Sequence, residues 1–268
     1  MENINNNNLF ILNNADDILL FKKIIKTFKN YSDYINFEFF SNYINIQIMD
    51  DMRISIINIF LYKNYFYDFN IQNQTKITLN INDLNKILKF LSKDDTIYFK
   101  LEKNYFYIKN DNNNNIHKIY KLNILDYNYD WIDINKIQDF TENQTLNIIN
   151  IESKILQNIF SELYNLSDDL IINKKENENK LSFLISNDTS SLYSKYEINN
   201  LSEYRCNIQP NINLKFSLKN LNNFKLLTQF NNINLILSDE HPLYLNLLDN
   251  ENKQNSKIEV KYILGPSI

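Results

Sequence analysis

Hydrophobic positions from Ile18 onward recur with the period of a helix. The stretch reads ILLFKKIIKTFK over Ile18–Lys29. At about 100° per residue, Ile18, Leu20, Phe21, Ile24, Ile25 and Phe28 share one arc of roughly 160°. Lys22, Lys23, Lys26 and Lys29 share the opposite arc, with no acid among them. The pattern predicts a helix with a buried face and a purely basic face. The period then changes to two, as in half-buried strands. Phe37–Phe40, Ile44–Ile48, Ile54–Ile59 and Lys76–Ile81 alternate in this way. Asn82 and Asp83 are expected to cap a second helix, Leu84–Leu91, with Leu84, Ile87, Leu88 and Leu91 inward and Lys86 and Lys89 off that face. Strands at Thr96–Leu101, Tyr105–Lys109 and His117–Leu125 follow.

Residues 126–142 mix Asn, Asp and Tyr without a sustained period, which marks a connector. The opening order then recurs. A strand at Leu146–Ile151 leads to a helix at Ser153–Leu163, with Ile155, Leu156, Ile159, Phe160 and Leu163 on one face. Strands are expected at Asp169–Asn173, Lys180–Ile185, Leu192–Ile198 and Asn213–Ser217, then a short helix at Leu218–Leu227. Ile233–Leu237, Leu243–Leu248 and Lys257–Ile263 close the chain as strands. Each half is strands, helix, strands, short helix, strands. The fold class is therefore α+β, with two similar domains of antiparallel sheet and two helices each. The expected division is 1–125 for the first domain, 126–142 for the connector and 143–268 for the second.

Composition removes most chemistry. The chain has 268 residues, 44% hydrophobic, with net charge −4. An acidic chain binds nucleic acid only through a local patch. One glycine excludes a phosphate-cradling loop, and two histidines with one cysteine make a zinc site or an activated nucleophile improbable. The acidic pairs Asp50–Asp51, Asp94–Asp95 and Asp168–Asp169 fit caps and turns better than catalysis. The single cysteine, Cys206, fits a reducing compartment. No apolar run reaches membrane-spanning length, and the MENINNNN start is not a signal peptide. The excess of Asn, Ile, Lys, Tyr and Phe fits an AT-rich genome, of a virus or a divergent protist. No enzyme, metal or cofactor is expected.

Several short stretches resemble the sliding clamps of the proliferating cell nuclear antigen (PCNA) type. Phe21–Ile25, with its paired lysines, is similar to that family's first pore helix. Ile46–Asp50 resembles its "LQSMD" strand end, and Leu84–Lys89 its "MSKILK" helix, followed by Asp94–Asp95. Phe216–Asn222 and Leu237–Leu243 resemble a helix and strand of the second domain, and Tyr262–Pro266 the terminal "YYLAP". The matches keep the family's order and spacing, while residues 126–213 match poorly.

The resemblance implies a homotrimeric ring, without catalytic activity, that encircles duplex DNA independently of sequence. It implies a DNA polymerase processivity factor, with the polymerase, a clamp loader and replication and repair proteins as partners. Lys22, Lys23, Lys29, Lys86, Lys89 and Lys219 match basic pore positions; Lys26 shares their face at a position often acidic in relatives, and Lys225 lies one residue from where a family lysine is expected. The second domain's first helix keeps only Lys154 where the family often has arginines, so the pore is expected to be more basic in the first domain. The groove for partner peptides maps to Met49, Arg53, Ile54, Ile56, Pro242, Ile263 and Gly265, with Ile137 or Phe140 from the connector. Arg53 stands where relatives often have a histidine. Subunit edges map to His117, Ile119 and Lys121 on one side and Ser191, Tyr193 and Lys195 on the other. The alternative is a clamp fold diverged to viral transcription or to a checkpoint-type heteromeric clamp. The implied location is the nucleus, or a viral replication site.

Overall fold

The computed structural model describes residues 8–112, 117–126, 131–134, 147–175, 178, 180–187, 192–199, 204–206, 211–238, 241–250 and 255–267. The chain forms two compact units. The first holds Met1–Asp51, Asn58–Trp131 and Asn250–Glu259; the second holds Met52–Ile57, Ile132–Asp249 and Val260–Ile268.

The first unit contains helix α1 (Ala15–Phe28) and helix α2 (Ile81–Phe90). Its strands include β1 (Leu9–Leu12), β2 (Tyr34–Phe39), β3 (Tyr43–Met49), β4 (Ser55–Tyr62, within this unit from Asn58), β5 (Asp68–Asn70) and β6 (Thr75–Asn80). β7 (Thr96–Glu102), β8 (Tyr105–Asp111) and β9 (His117–Asn123) complete the set. One sheet runs β5-β1-β7-β8-β9, and the other runs β4-β3-β2-β6. Antiparallel pairing joins every neighbour of the first sheet, and joins β2 to both β3 and β6 in the second. β1 and β5 escape the periodicity because LFIL is apolar at every position and β5 has only three residues.

Phe10 on β1 is the hub of this core. Its ring stacks on Phe99 at 4.8 Å and meets Phe39 at 5.9 Å and Phe106 at 6.2 Å, joining the two sheets. Phe21 of α1 reaches the same cluster, edge-on to Phe99 at 5.5 Å. α1 buries most of the face its sequence sets aside: Ile18, Phe21, Ile24, Ile25 and Phe28 are at most 4% exposed, while Leu20 of the same arc stays partly exposed.

β2, β3 and β4 depart from the half-buried expectation, since both of their faces are largely closed. Asn45, Gln47 and Asn58 bond one another instead of facing water. Gln47 Nε2 donates to Asn58 Oδ1 at 2.8 Å, and Asn58 Nδ2 to Asn45 Oδ1 at 2.7 Å. Thr78 Oγ1 donates to Asn36 Oδ1 at 2.7 Å, and Glu38 accepts from Gln74 and pairs with Lys76. Pairing is what makes such burial tolerable.

The second unit repeats the plan. One sheet orders β10 (Asn147–Glu152), β16 (Asn232–Leu237) and β17 (Leu243–Leu248), with β14 (Tyr204–Cys206) beyond β10. The other orders β13 (Leu192–Asn199), β12 (Lys180–Asn187), β11 (Asp169–Lys174) and β15 (Ile212–Ser217). Helices span Ser153–Tyr164 and Leu218–Asn223. Phe160 meets Phe183 edge-on at 6.1 Å, tying the longer helix to β12. Ile155, expected inward on that helix, is 41% exposed. Its neighbour Leu156 takes the buried position, because the apolar stripe is narrower than the apolar run.

The Leu218–Leu227 prediction needs correction. The helix stops at Asn223, and Leu227–Gln229 is a separate 3-10 turn. Asn222 and Asn223 are poor helix formers. Phe224 breaks the path with ψ 66°, which buries its ring against Tyr262 at 4.6 Å.

Candidate functional site

α1 begins three residues before the predicted start. The Asn14 side chain accepts from the Asp16 and Asp17 N–H groups at 2.9 and 3.2 Å, capping the helix. Asp16 and Asp17 in the first turn and Lys26 in the last suit the helix dipole. α2 likewise starts at Ile81. Its cap is Asn80, which accepts from Asp83 N at 3.1 Å, so Asn82–Asp83 is not the cap. Asn80 wins because it ends β6 with extended backbone, the conformation a cap needs.

The lysines of the two helices divide into different roles. Lys26, Lys29 and Lys89 are exposed. Lys86 is exposed and pairs with Asp83 at 2.9 Å, a surface pair of little energetic weight. Lys23 is half-buried; burial and then Lys26 lower its pKa below the usual lysine value. Lys22 is half-buried, and its Nζ donates to the Leu91 carbonyl at 2.8 Å. Lys22 lies on the α1 edge nearest α2, and Leu91 is the C-cap of α2. An ammonium there satisfies an orphan carbonyl.

In the second unit, Lys154 and Lys219 are exposed on their helices. Lys225 is not on a helix. It follows the break at Phe224, donates to Asn222 Oδ1 at 2.8 Å, and has its pKa lowered by burial. Glu162 is exposed and accepts from the Tyr196 hydroxyl.

Among the groove positions, Ile56 and Ile263 are 8% and 4% exposed, and Met49, in the first unit, is 8% exposed. Ile54 is 38% exposed, and Arg53 beside it is exposed with φ 58°, a left-handed value uncommon for a residue with a side chain. The Gly265 N–H donates to the Ile54 carbonyl at 2.8 Å, drawing the end of strand β18 (Ile258–Leu264) to the Arg53–Ile54 corner. Pro242 is partly exposed. Ile137 and Phe140 lie outside the described residues.

Both expected subunit edges are sheet edges: β9 ends the five-stranded sheet and β13 the four-stranded one. His117, Ile119 and Lys121 are exposed on β9, as is Lys195 on β13. Ser191 and the Tyr193 side chain lie outside the described residues. His117 Nδ1 lies 2.7 Å from Asp111 Oδ1, and Lys109 donates to Asp111 Oδ2 at 3.1 Å. Partial burial alone would raise the Asp111 pKa; the His117 and Lys109 contacts outweigh it and hold the carboxyl below its ordinary value.

The acid pair Asp94–Asp95 is structural. Asp95 Oδ2 accepts from Ser92 N at 2.8 Å and from Asn110 Nδ2 at 2.9 Å, locking a turn. Among the described residues, no three His, Cys, Asp or Glu side chains are placed to hold a metal. Sequence reasoning passed over the solvent face of β7–β9, whose signal is the period-two spacing of Tyr and Lys.

Residues 12–131 match the family profile described as "Proliferating cell nuclear antigen, N-terminal domain". DNA polymerase sliding clamp 2 of Sulfolobus acidocaldarius is 34% identical over 87 residues, 32% of this chain and 36% of that protein. The match thus spans about a third of the archaeal clamp's length. Proliferating cell nuclear antigen 2 of Drosophila melanogaster is 23% identical over 255 residues, 93% of this chain and 94% of that protein. The crystal structure of the Entamoeba histolytica antigen superposes with a TM-score of 0.78 at 20% identity, covering 97% of this chain and 98% of that one. That likeness extends the shared fold across both units.

Proposed function

We propose that this chain, a divergent member of the proliferating cell nuclear antigen family, is a DNA polymerase processivity factor. It closes into a homotrimeric ring around duplex DNA and tethers replication and repair proteins there, acting in the nucleus or at a viral replication site. One observation carries the reading: an acidic chain holds Lys26, Lys29, Lys86 and Lys89 exposed on its two first-unit helices. Ammonium groups on a helix face attract phosphates without reading bases, so contacts exchange as the ring slides. The edge strands β9 and β13 supply backbone donors and acceptors for pairing between subunits, which removes the exposed edges. Partner peptides of the Gln-x-x-aliphatic-x-x-aromatic-aromatic kind would anchor around Ile54 and Pro242.

A heteromeric clamp is the second reading. Both edges expose lysines, Lys118 and Lys121 on β9 and Lys195 on β13, with Glu197 as counter-charge. Edge pairing between identical copies therefore brings cations together. Light scattering on eluting protein separates the two: a mass about three times that of the chain is expected. A monomer that persists at high concentration overturns the homotrimer. Primer extension on circular template, with polymerase and loader, then tests processivity.

A further inference from the structure

The five-stranded sheet buries one face and leaves the other to solvent. Phe10, Phe99, Phe106 and Ile108 point into the core and are at most 2% exposed. The alternate positions on β7, β8 and β9 carry Tyr98, Lys100, Tyr105, Tyr107, Lys109 and Lys121, all partly or fully exposed. The register sets tyrosines beside lysines: Tyr98 lies opposite Lys109, and Tyr107 lies between Lys100 and Lys121.

The cations rest on the rings. Lys121 Nζ is 3.4 Å from the Tyr105 centroid and 6.0 Å from that of Tyr107, while Lys109 Nζ is 5.0 Å from the Tyr98 centroid. Tyr105 and Tyr107 stand 6.1 Å apart. Three acids share the face: Glu102 pairs with Lys100 at 2.8 Å, Asp111 pairs with Lys109, and Asp68 stands exposed on β5 opposite Ile11. Lys121 places its charge over aromatic rings, an attraction a phosphate can replace.

Half-exposed aromatics interleaved with cations on an open sheet face match one ligand chemistry. Unpaired bases present flat faces to stack on tyrosine, and the linking phosphates meet the lysines. A duplex keeps its base faces inside, and an acidic peptide would use the lysines but not the rings. We propose that this face binds single-stranded nucleic acid without sequence preference, with bases on Tyr98, Tyr105 and Tyr107 and phosphates on Lys100, Lys109 and Lys121. The site is separate from the α1 and α2 lysines; Lys121 stands on the edge strand β9, whose pairing with another copy would use backbone groups and leave its side chain on the sheet face.

The test is fluorescence anisotropy of labelled oligo(dT) and oligo(U) with the full chain at low salt. Tyr105→Ala with Tyr107→Ala should weaken binding about tenfold or more, while the Phe pair keeps it, since stacking survives loss of the hydroxyl. Lys121→Gln should flatten the salt dependence. Lys26→Ala with Lys29→Ala should leave oligo(dT) binding unchanged, whatever it does to duplex retention. A melting curve confirms that each variant folds. No binding at low salt, binding that survives the Ala pair, or equal competition by blunt duplex or by polyglutamate overturns the proposal.

Discussion

The Lys22 ammonium of α1 donates to the carbonyl of Leu91, the C-cap of α2, at 2.8 Å. One lysine of the basic helix face thus holds two helices together. Lys22→Ala should lower stability by about 1 kcal/mol, through loss of a charge-assisted bond at a helix C-terminus. Urea unfolding measures it; a midpoint equal to wild type would mean that water replaces the ammonium at no cost.

Lys26 and Lys29 are exposed, so the Lys26→Ala, Lys29→Ala variant should unfold like wild type. It should nevertheless flatten the slope of log affinity against log salt for duplex DNA, by about 0.9 for each phosphate left without its lysine. Lys154→Ala should do much less. Unchanged slopes and unchanged primer-extension lengths would make this face merely solvated.

Asn58 joins Gln47 to Asn45 inside the sheet and is 1% exposed. Asn58→Ala removes an acceptor for Gln47 and a donor to Asn45, and should destabilise by about 2 kcal/mol. Thermal and urea unfolding both report it.

Gly265 tolerates a methyl group. A Cβ there would meet the Ile54 carbonyl oxygen at 3.4 Å, an ordinary contact, and the backbone is not left-handed. Gly265→Ala should change stability by less than about 0.5 kcal/mol. A larger loss would show that the Gly265–Ile54 hydrogen bond is sterically pinned.

Asp111 has a folded pKa below its ordinary 3.8, so its ionised form is favoured by folding. Its contribution is present above the unfolded value and lost as pH falls through the lower folded one. Asp111→Asn should therefore lower stability near neutrality and flatten the acid limb of the stability profile. His117→Gln should reproduce part of this, and unfolding midpoints across an acid titration decide it.

Periodicity alone determined much of this protein. Ile18 to Phe28 spells its buried arc in the chain, and the strand alternation in Phe37–Phe39 and Ile44–Ile48 names the inward residues. These follow from geometry within a single element, so a local window contains them. The short motifs carried the resemblance because each is a local run of residues, two inside α1 and α2 and others at strand ends such as Ile46–Asp50 and Tyr262–Pro266. Tertiary structure decided what each outward face meets. Nothing local distinguishes Lys22, which caps α2, from Lys29, which stays in solvent. Asn45, Gln47 and Asn58 look like solvated alternates until their strands align and they bond one another. Lys225 leaves the helix because Phe224 has Tyr262 to stack on, a residue far along the chain. The Tyr and Lys platform exists only when β7, β8 and β9 lie in register. A residue's own sequence neighbourhood sets which side it faces; the partner waiting on that side comes from elsewhere in the chain.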